Sequence, residues 1–363
     1  LTIYYFLSLA FFLLSLLEIY ILGGDRSLRL YKTASLWPIG VVLVCIAGLR
    51  YMVGADYTSY LEIFKWIAQF DNLPDAISGM GVIEPAFVTV NFLLKSLPYN
   101  AFLFLFAIPS IFFKLRWIAK YSPYIFLALF LYLPTFLEGD MGIIRQYFAL
   151  GLICWSVDFI DKRRLLPFLV LVILAFNFHR SAIIFLPAYF LVKIRINYWH
   201  ALILVTLMQV TSFINMDFLK PIAQLNSFMY GKFQDYSTYK DLGFGIKDIA
   251  RILILLLVAL NQKVIKQDKT TRLFADLFMW GCLIYALLKF NAAFAQRLTL
   301  YYLRAEIILL PCLLYQLGNS ASSLLKINSY RIIIVLYAII VLCYKIYILI
   351  PWNDNYQFIF LHD

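Results

Sequence analysis

Charge is scarce in this chain. Of its 363 residues, 14% are charged, against roughly a quarter in a soluble domain. Hydrophobic types make up 63%, and the mean hydropathy is +0.83. A soluble globular enzyme is excluded. Histidine is rare, with three residues, and the five cysteines (Cys45, Cys154, Cys282, Cys312 and Cys343) stand singly in apolar segments. No CxxC pair occurs, which argues against a disulfide framework or a thiolate metal site. P-loop, Rossmann glycine pattern, HExxH and carboxylates at metal spacing are all missing. Energy from bound ATP is therefore not expected, nor is any metal or cofactor. There is no internal repeat, low-complexity tract or soluble domain, so residues 1–363 read as a single integral membrane domain. Residues 1–22 have neither a basic n-region nor an A-x-A-like site and read as a retained first helix.

What is present is a series of apolar runs that approach the ~20 residues needed to span a bilayer. They are continuous rather than alternating, which excludes a membrane barrel. The sequence predicts helices over 2–22, 34–49, 85–97, 101–118, 122–137, 142–160, 165–178, 181–194, 198–215, 246–264, 272–290, 298–316 and 331–350. Two longer polar connections, about 50–84 and 216–245, have room for short interfacial helices. The net charge of +11 does not indicate nucleic acid, because most Lys and Arg sit in short loops where they orient a membrane protein. Arg26, Arg29 and Lys32 mark one cytoplasmic loop. Lys114, Arg116 and Lys120 mark another, as do 162–164, Lys193 with Arg195, 263–272, and Lys326 with Arg331. Both termini then lie outside. Parity fails once, since residue 50 is outside and residue 116 inside, with two apolar segments between them. One of 85–97 and 101–118 is therefore re-entrant or interfacial, giving an all-α polytopic protein of about twelve crossings. Irregular backbone at membrane depth needs protein or a watery cavity around it.

The remaining polar residues then gather on the outer side. Arg50 and Asp56 bracket Gly54 in a turn-like stretch. Arg145-Gln146 opens a helix after Glu138 and Asp140. It is either a helix-end residue paired with one of those acids or an anion clamp gripping phosphate through two parallel hydrogen bonds. His179-Arg180-Ser181 sits between two apolar helices. The histidine is either a satisfied structural residue or one kept neutral by the adjacent cation. Arg297 and Arg304 are seven apart and able to share a helix face; Arg304 has Glu306 nearby, which leaves Arg297 the better ligand candidate. Most of the 26 tyrosines suit an interfacial belt; Tyr57, Tyr60, Tyr230, Tyr236 and Tyr239 lie instead in the two outer loops.

A reaction on that face needs an activated substrate that arrives there. A lipid-linked pyrophosphate is one: its leaving group departs as an anion, so the site needs cations and one base rather than a general acid.

These pieces resemble the EpsG/Wzy-type polysaccharide polymerases of bacterial membranes. They are Gly48-Leu49-Arg50-Tyr51 with Gly54-Ala55-Asp56-Tyr57 and Tyr60; Glu84-Pro85; Ile144-Arg145-Gln146 with Ala149; Phe178-His179-Arg180-Ser181-Ala182 with Pro187; and Arg297 with Tyr301. They run in order over most of the chain. Arg180 departs from the lysine more often expected there and keeps the charge. The resemblance implies a GT-C-like architecture in the bacterial cytoplasmic membrane, with its active site facing the periplasm or exterior. It implies transfer of a growing glycan from undecaprenyl pyrophosphate to a sugar hydroxyl of a new lipid-linked repeat unit. Donor and acceptor lipids, bilayer lipid, a flippase and a chain-length regulator are the partners it implies, and no nucleic acid. By the same analogy Arg50, Arg145 and Arg297 hold pyrophosphate, with Arg180 as a fourth cation. His179 or Asp56 is the base or positions the acceptor, with Glu84 after them, and Tyr57, Tyr60, Gln146 and Tyr301 contact glycan. With His179 as base, Asp56 becomes the ion-pair partner of Arg50. The competing readings are another outer-face transferase (a glycan ligase or O-acyltransferase) and a lipid-linked glycan transporter.

Overall fold

The computed structural model describes residues 2–24, 28–209, 221, 224, 245–320, 324–353 and 356–359. Arg26, Tyr230, Tyr236, Tyr239 and nearly all of the 216–245 connection lie outside the described residues. Among the described residues the fold is helical except for one two-residue strand pair. Five helices are long and apolar enough to cross a membrane: Ile3–Leu22, Arg29–Gly48, Tyr99–Tyr121, Lys269–Leu288 and Ile327–Ile348. The bent pair Ala293–Leu303 and Glu306–Ser320 makes a sixth when counted as one span. The chain is a multi-pass membrane protein.

It packs as two compact units, Leu1–Ile183 with Leu310–Asp363, and Ile184–Leu309. The first contains α1 (Thr2–Leu17), α2 (Arg29–Gly48), β1 (Arg50–Tyr51), α3 (Tyr57–Ile67), α4 (Leu73–Gly79), α5 (Pro85–Leu93), α6 (Tyr99–Tyr121), α7 (Ile125–Thr135), α8 (Ile144–Asp161) and α9 (Leu165–Phe178). Here α2 packs along α6, α1 against α7, and α8 between α6 and α9.

The parity defect has a structural answer. Helix α6 is a full span of 23 residues, whereas α5 has nine. Nine residues rise about 14 Å, less than half of the ~30 Å hydrocarbon core. The segment that fails to cross is 85–97. The connection before it folds into short helices. In α3 the buried residues Tyr57, Tyr60, Phe64 and Ile67 recur at helical spacing, one apolar stripe on an otherwise polar helix. Asn72 caps α4 by accepting from the Asp75 N–H at 3.0 Å. Ile67, Ala76, Met80 and Val88 close a small core beneath α3–α5.

The two ends of the first unit differ chemically. At one end β1 pairs antiparallel with Gln357–Phe358, and Tyr356 meets Tyr4 edge-on at 6.1 Å. The starts of α1 and β1 and the C-terminal segment therefore share an end, as the expected topology requires. At the other end Arg29 donates to the Ala119 and Lys120 carbonyls. Arg116 and Lys120 pair with Asp158 there. Glu18, fully buried, accepts the first three N–H groups of α7 and pairs with Lys32 at 3.2 Å. A carboxylate among the unsatisfied donors of a helix start is well placed.

Lys114 corrects the topology reading. It is no loop marker: it lies within α6, 2% exposed, and pairs with Asp140 at 2.6 Å. Its long helix simply continues to Tyr121.

Helix α7 ends in a π-turn, Phe136–Asp140, after Pro134. The chain after β1 covers this irregular backbone. Gly54 has φ +108°, and a Cβ there would lie 2.0 Å from the Met141 carbonyl oxygen. Gly54→Ala therefore combines a left-handed backbone with a backbone clash, and is expected to cost about 2 kcal/mol or more. A melting temperature in detergent equal to wild type would refute this contact.

The second unit contains Tyr198–Leu207, Ile246–Leu260, Gln262–Gln267, Lys269–Leu288 and Ala292–Leu303. Lys269–Leu288 packs against Tyr198–Leu207 and Ala292–Leu303. Asp268 and Asn291 cap the last two helices named, accepting from the N–H groups of Thr271 and Phe294.

Candidate active site

The sequence around Glu84 builds a clasp. Pro85 fills the first position of α5, where its missing N–H costs nothing, and Glu84 before it is extended (φ −67°, ψ 137°), as a residue preceding proline should be. This turns the Glu84 carboxylate toward α8 and the end of α9. Oε2 accepts from Arg145 Nη1 at 2.6 Å, and Oε1 accepts from the Arg180 backbone N–H at 3.2 Å. Arg180 Nη2 donates in turn to the Gly81 carbonyl at 3.2 Å. Glu84 is 6% exposed.

Arg145 is the second residue of α8. Its guanidinium carbon lies 5.7 Å from the Tyr60 ring centre and 5.6 Å from that of Phe87, within cation–π range. Its side chain stays 21% exposed. The acids nearer in sequence are committed elsewhere. Glu138 takes hydrogen bonds from Tyr147 and Lys345, and Asp140 takes Ser110, Lys114 and Tyr132.

His179 ends α9 in an extended conformation (φ −157°, ψ 117°), and a 3-10 turn, Arg180–Phe185, follows. The His179 Nδ1 and Ser181 Oγ are 2.6 Å apart, and Gln146 Nε2 donates to the same Oγ at 3.3 Å. Tyr60, Glu84, Arg145, Gln146, His179 and Arg180 are thus brought together from α3, α5, α8 and the end of α9. Gly54 meets Met141 just before α8, so the cluster lies at the end of the unit that carries the strand pair.

Arg50 behaves differently from the expectation of an open phosphate ligand. It is 1% exposed. Its Nε donates to the Val53 carbonyl at 3.0 Å and Nη1 to the Ala47 carbonyl. Ala47 belongs to the last turn of α2, where unsatisfied carbonyls and the helix dipole attract a cation. The Arg50–Asp56 ion pair expected from the turn is therefore replaced by C-terminal capping of α2. Met52 (φ 54°) and Gly54 reverse the chain between them, and Asp56 precedes α3, close enough to Tyr60 to act on it electrostatically. Burial lowers the Arg50 pKa from its ordinary value, offset by the nearby Tyr99, Tyr57, Tyr356 and Tyr4.

Tyr57 and Tyr60 are 3% exposed, with rings packed on Tyr99 and Phe87 at 5.4 and 5.8 Å. Burial pushes both phenols above their usual range. They shape the wall rather than offering open faces to a sugar. Gln146, 2% exposed, faces Ser181.

Arg297 and Tyr301 belong to the second unit, on Ala292–Leu303. Arg304 follows the end of that helix and pairs with Glu306 at 3.3 Å. In the same unit a fully buried Lys289 donates to Asp248 and Gln209, and Arg251 lies 3.6 Å above the Tyr285 ring centre. Among the described residues no three His, Cys, Asp or Glu side chains group closely enough to hold a metal ion.

A family model described as EpsG matches residues 36–361, from within α2 to the C-terminal segment. The chain belongs to the EpsG family. EpsG is a Wzy-like family of polysaccharide polymerases. No curated protein and no solved structure matches the chain.

In this EpsG-family chain, sequence reasoning missed the partners that hold the expected residues. Ser181 stands in the quoted motif, yet nothing local marks it as the link between Gln146 and His179. The Gly81 carbonyl and the Lys114–Asp140 pair likewise become visible only when segments far apart in sequence meet.

Proposed function

We propose that this protein polymerises undecaprenyl-pyrophosphate-linked oligosaccharide repeat units on the outer face of the bacterial cytoplasmic membrane. The observation that carries the reading is the clasp of Arg145 and Arg180 on Glu84 beside His179. Two cations held at one helix start, one of them partly exposed, suit an anion with several oxygens. The positive-inside bias favours the end bearing Arg29, Arg116 and Lys120 as cytoplasmic, which puts the clasp outside. About twelve crossings in a GT-C-like arrangement fit that orientation.

In the reaction, the bond between the donor's anomeric carbon and the pyrophosphate oxygen breaks. A hydroxyl oxygen of the acceptor sugar bonds to that carbon, and its proton passes to His179 or Asp56. Undecaprenyl pyrophosphate leaves as an anion held by Arg145 and Arg180, with Arg297 as a further ligand. Glu84, buried and twice engaged, positions the arginines instead of acting as base. Arg50 caps α2 and supports the wall.

Reconstitution with a purified lipid-linked repeat unit, without nucleotide or added metal, tests the reading. A ladder of products is expected. Unchanged lipid, or a requirement for nucleotide sugar, would overturn it, and transfer of finished glycan without a ladder would indicate a ligase.

A further inference from the structure

The Gln146–Ser181–His179 chain bears on which nitrogen of the imidazole carries a proton. A serine hydroxyl has one proton to give and two lone pairs; a glutamine amide nitrogen can only donate. Gln146 Nε2 donates to Ser181 Oγ at 3.3 Å. The 2.6 Å contact between that oxygen and His179 Nδ1 must contain a proton, and with Gln146 already occupying a lone pair the hydroxyl proton is the one directed at Nδ1. The arrangement is held from both sides. Gln146 is 2% exposed on α8, and the Ala182 N–H donates to the His179 carbonyl at 3.0 Å, closing the turn that carries Ser181.

The charged groups on the packed elements favour a neutral ring. Arg145 on α8 and Arg180 beside the histidine are cations, Glu84 before α5 is shared between them, and Tyr60 on α3 is packed against Arg145. A second positive charge among them is disfavoured. A neutral imidazole that accepts at Nδ1 carries its proton on Nε2.

We infer that Gln146 and Ser181 are positioning residues that lock His179 as the neutral Nε2–H tautomer, so that the ring donates a hydrogen bond to the substrate's pyrophosphate and does not take the acceptor's proton. The pyrophosphate in this statement rests on the polymerase reading; the tautomer does not. Glycosyl transfer then balances as follows. The anomeric carbon–oxygen bond breaks, and the pyrophosphate leaves with both electrons. The Nε2–H hydrogen bond strengthens on that oxygen without transferring its proton. The new carbon–oxygen bond forms, and the acceptor proton goes to Asp56.

The test is nitrogen NMR of protein labelled with 15N-histidine in lipid nanodiscs, without substrate. The chain has three histidines, His179, His200 and His362, and His179→Asn assigns the signal. At pH 7.5 His179 is expected neutral with the proton on Nε2. Gln146→Glu replaces the donor by an acceptor that captures the serine proton, and should move the His179 proton toward Nδ1. Ser181→Ala should give a tautomer mixture and lower turnover about tenfold, the worth of one hydrogen bond, with Ser181→Thr restoring both. The wild-type pH–rate profile should have no acid limb near the ordinary histidine value of about 6.5. An Nδ1–H tautomer in wild type, a tautomer indifferent to both substitutions, or an acid limb at that pH would each overturn the inference. A failed product ladder with the expected tautomer would instead count against the polymerase reading alone.

Discussion

Replacing Arg145 by lysine is expected to slow polymer formation about a hundredfold, and replacing it by alanine about a thousandfold, with folded protein still in the membrane. The difference from an ordinary helix-end cation lies in how its fork is used. One nitrogen is committed to Glu84 at 2.6 Å, and the guanidinium lies between the Tyr60 and Phe87 rings. Its Nε is buried without a hydrogen-bond partner, so the group is held by its edge and its rings while a fifth of the side chain stays exposed. A planar fork can keep the Glu84 bond and still present parallel N–H groups to a phosphate; an ammonium is a point charge that must choose. Lysine should therefore lose turnover together with affinity. Initial rates at saturating lipid-linked repeat unit, with KM from the same curves, separate the two losses. If the lysine variant kept full rate and KM, Arg145 would be a plain partner of Glu84, and the clamp would fall.

The cluster was legible in the sequence to the extent that each residue stands at a helix boundary. Glu84 precedes a proline, Arg145 opens an apolar run, and His179-Arg180 interrupts one, so polar residues there call for a reason. Pairing was not legible. Glu84 meets Arg145 and Arg180 across intervals of 61 and 96 residues, and local acids such as Glu138 and Asp140 looked like equally good partners. Arg50 misled for a related reason. A turn with an acid six residues on suggests an ion pair, but the nearest unsatisfied groups are the carbonyls that end its own helix. Short loops of basic residues gave the correct sidedness for Arg29, Arg116 and Lys120, and misplaced Lys114 because composition does not show where a helix stops. Its partner Asp140 lies 26 residues away on a π-turn, and nothing in the periodicity signals that bend.

Breaking the Lys114–Asp140 pair should be the largest stability effect in the first unit. The two side chains are 2% and 1% exposed. Lys114 Nζ also donates to the Ser110 carbonyl and hydroxyl, while Asp140 accepts from Ser110 at 2.7 Å and Tyr132 at 2.5 Å. Removal of one partner leaves the other charge buried and unpaired, so Lys114→Ala and Asp140→Ala are each expected to cost about 3–5 kcal/mol. Unfolding in mixed micelles at graded SDS checks this. The double replacement Lys114→Met with Asp140→Leu should recover most of the loss, since well-packed apolar side chains often serve as well as a buried pair. A single variant as stable as wild type would show that the pair carries no such weight. The network also bears on the site. Asp140 ends the π-turn whose next residue, Met141, lies under Gly54, and α8 with Arg145 begins at Ile144. If this network sets where α8 starts, the recovered double variant should fold well yet polymerise slowly, and stability and activity would part company at a position remote from the clasp.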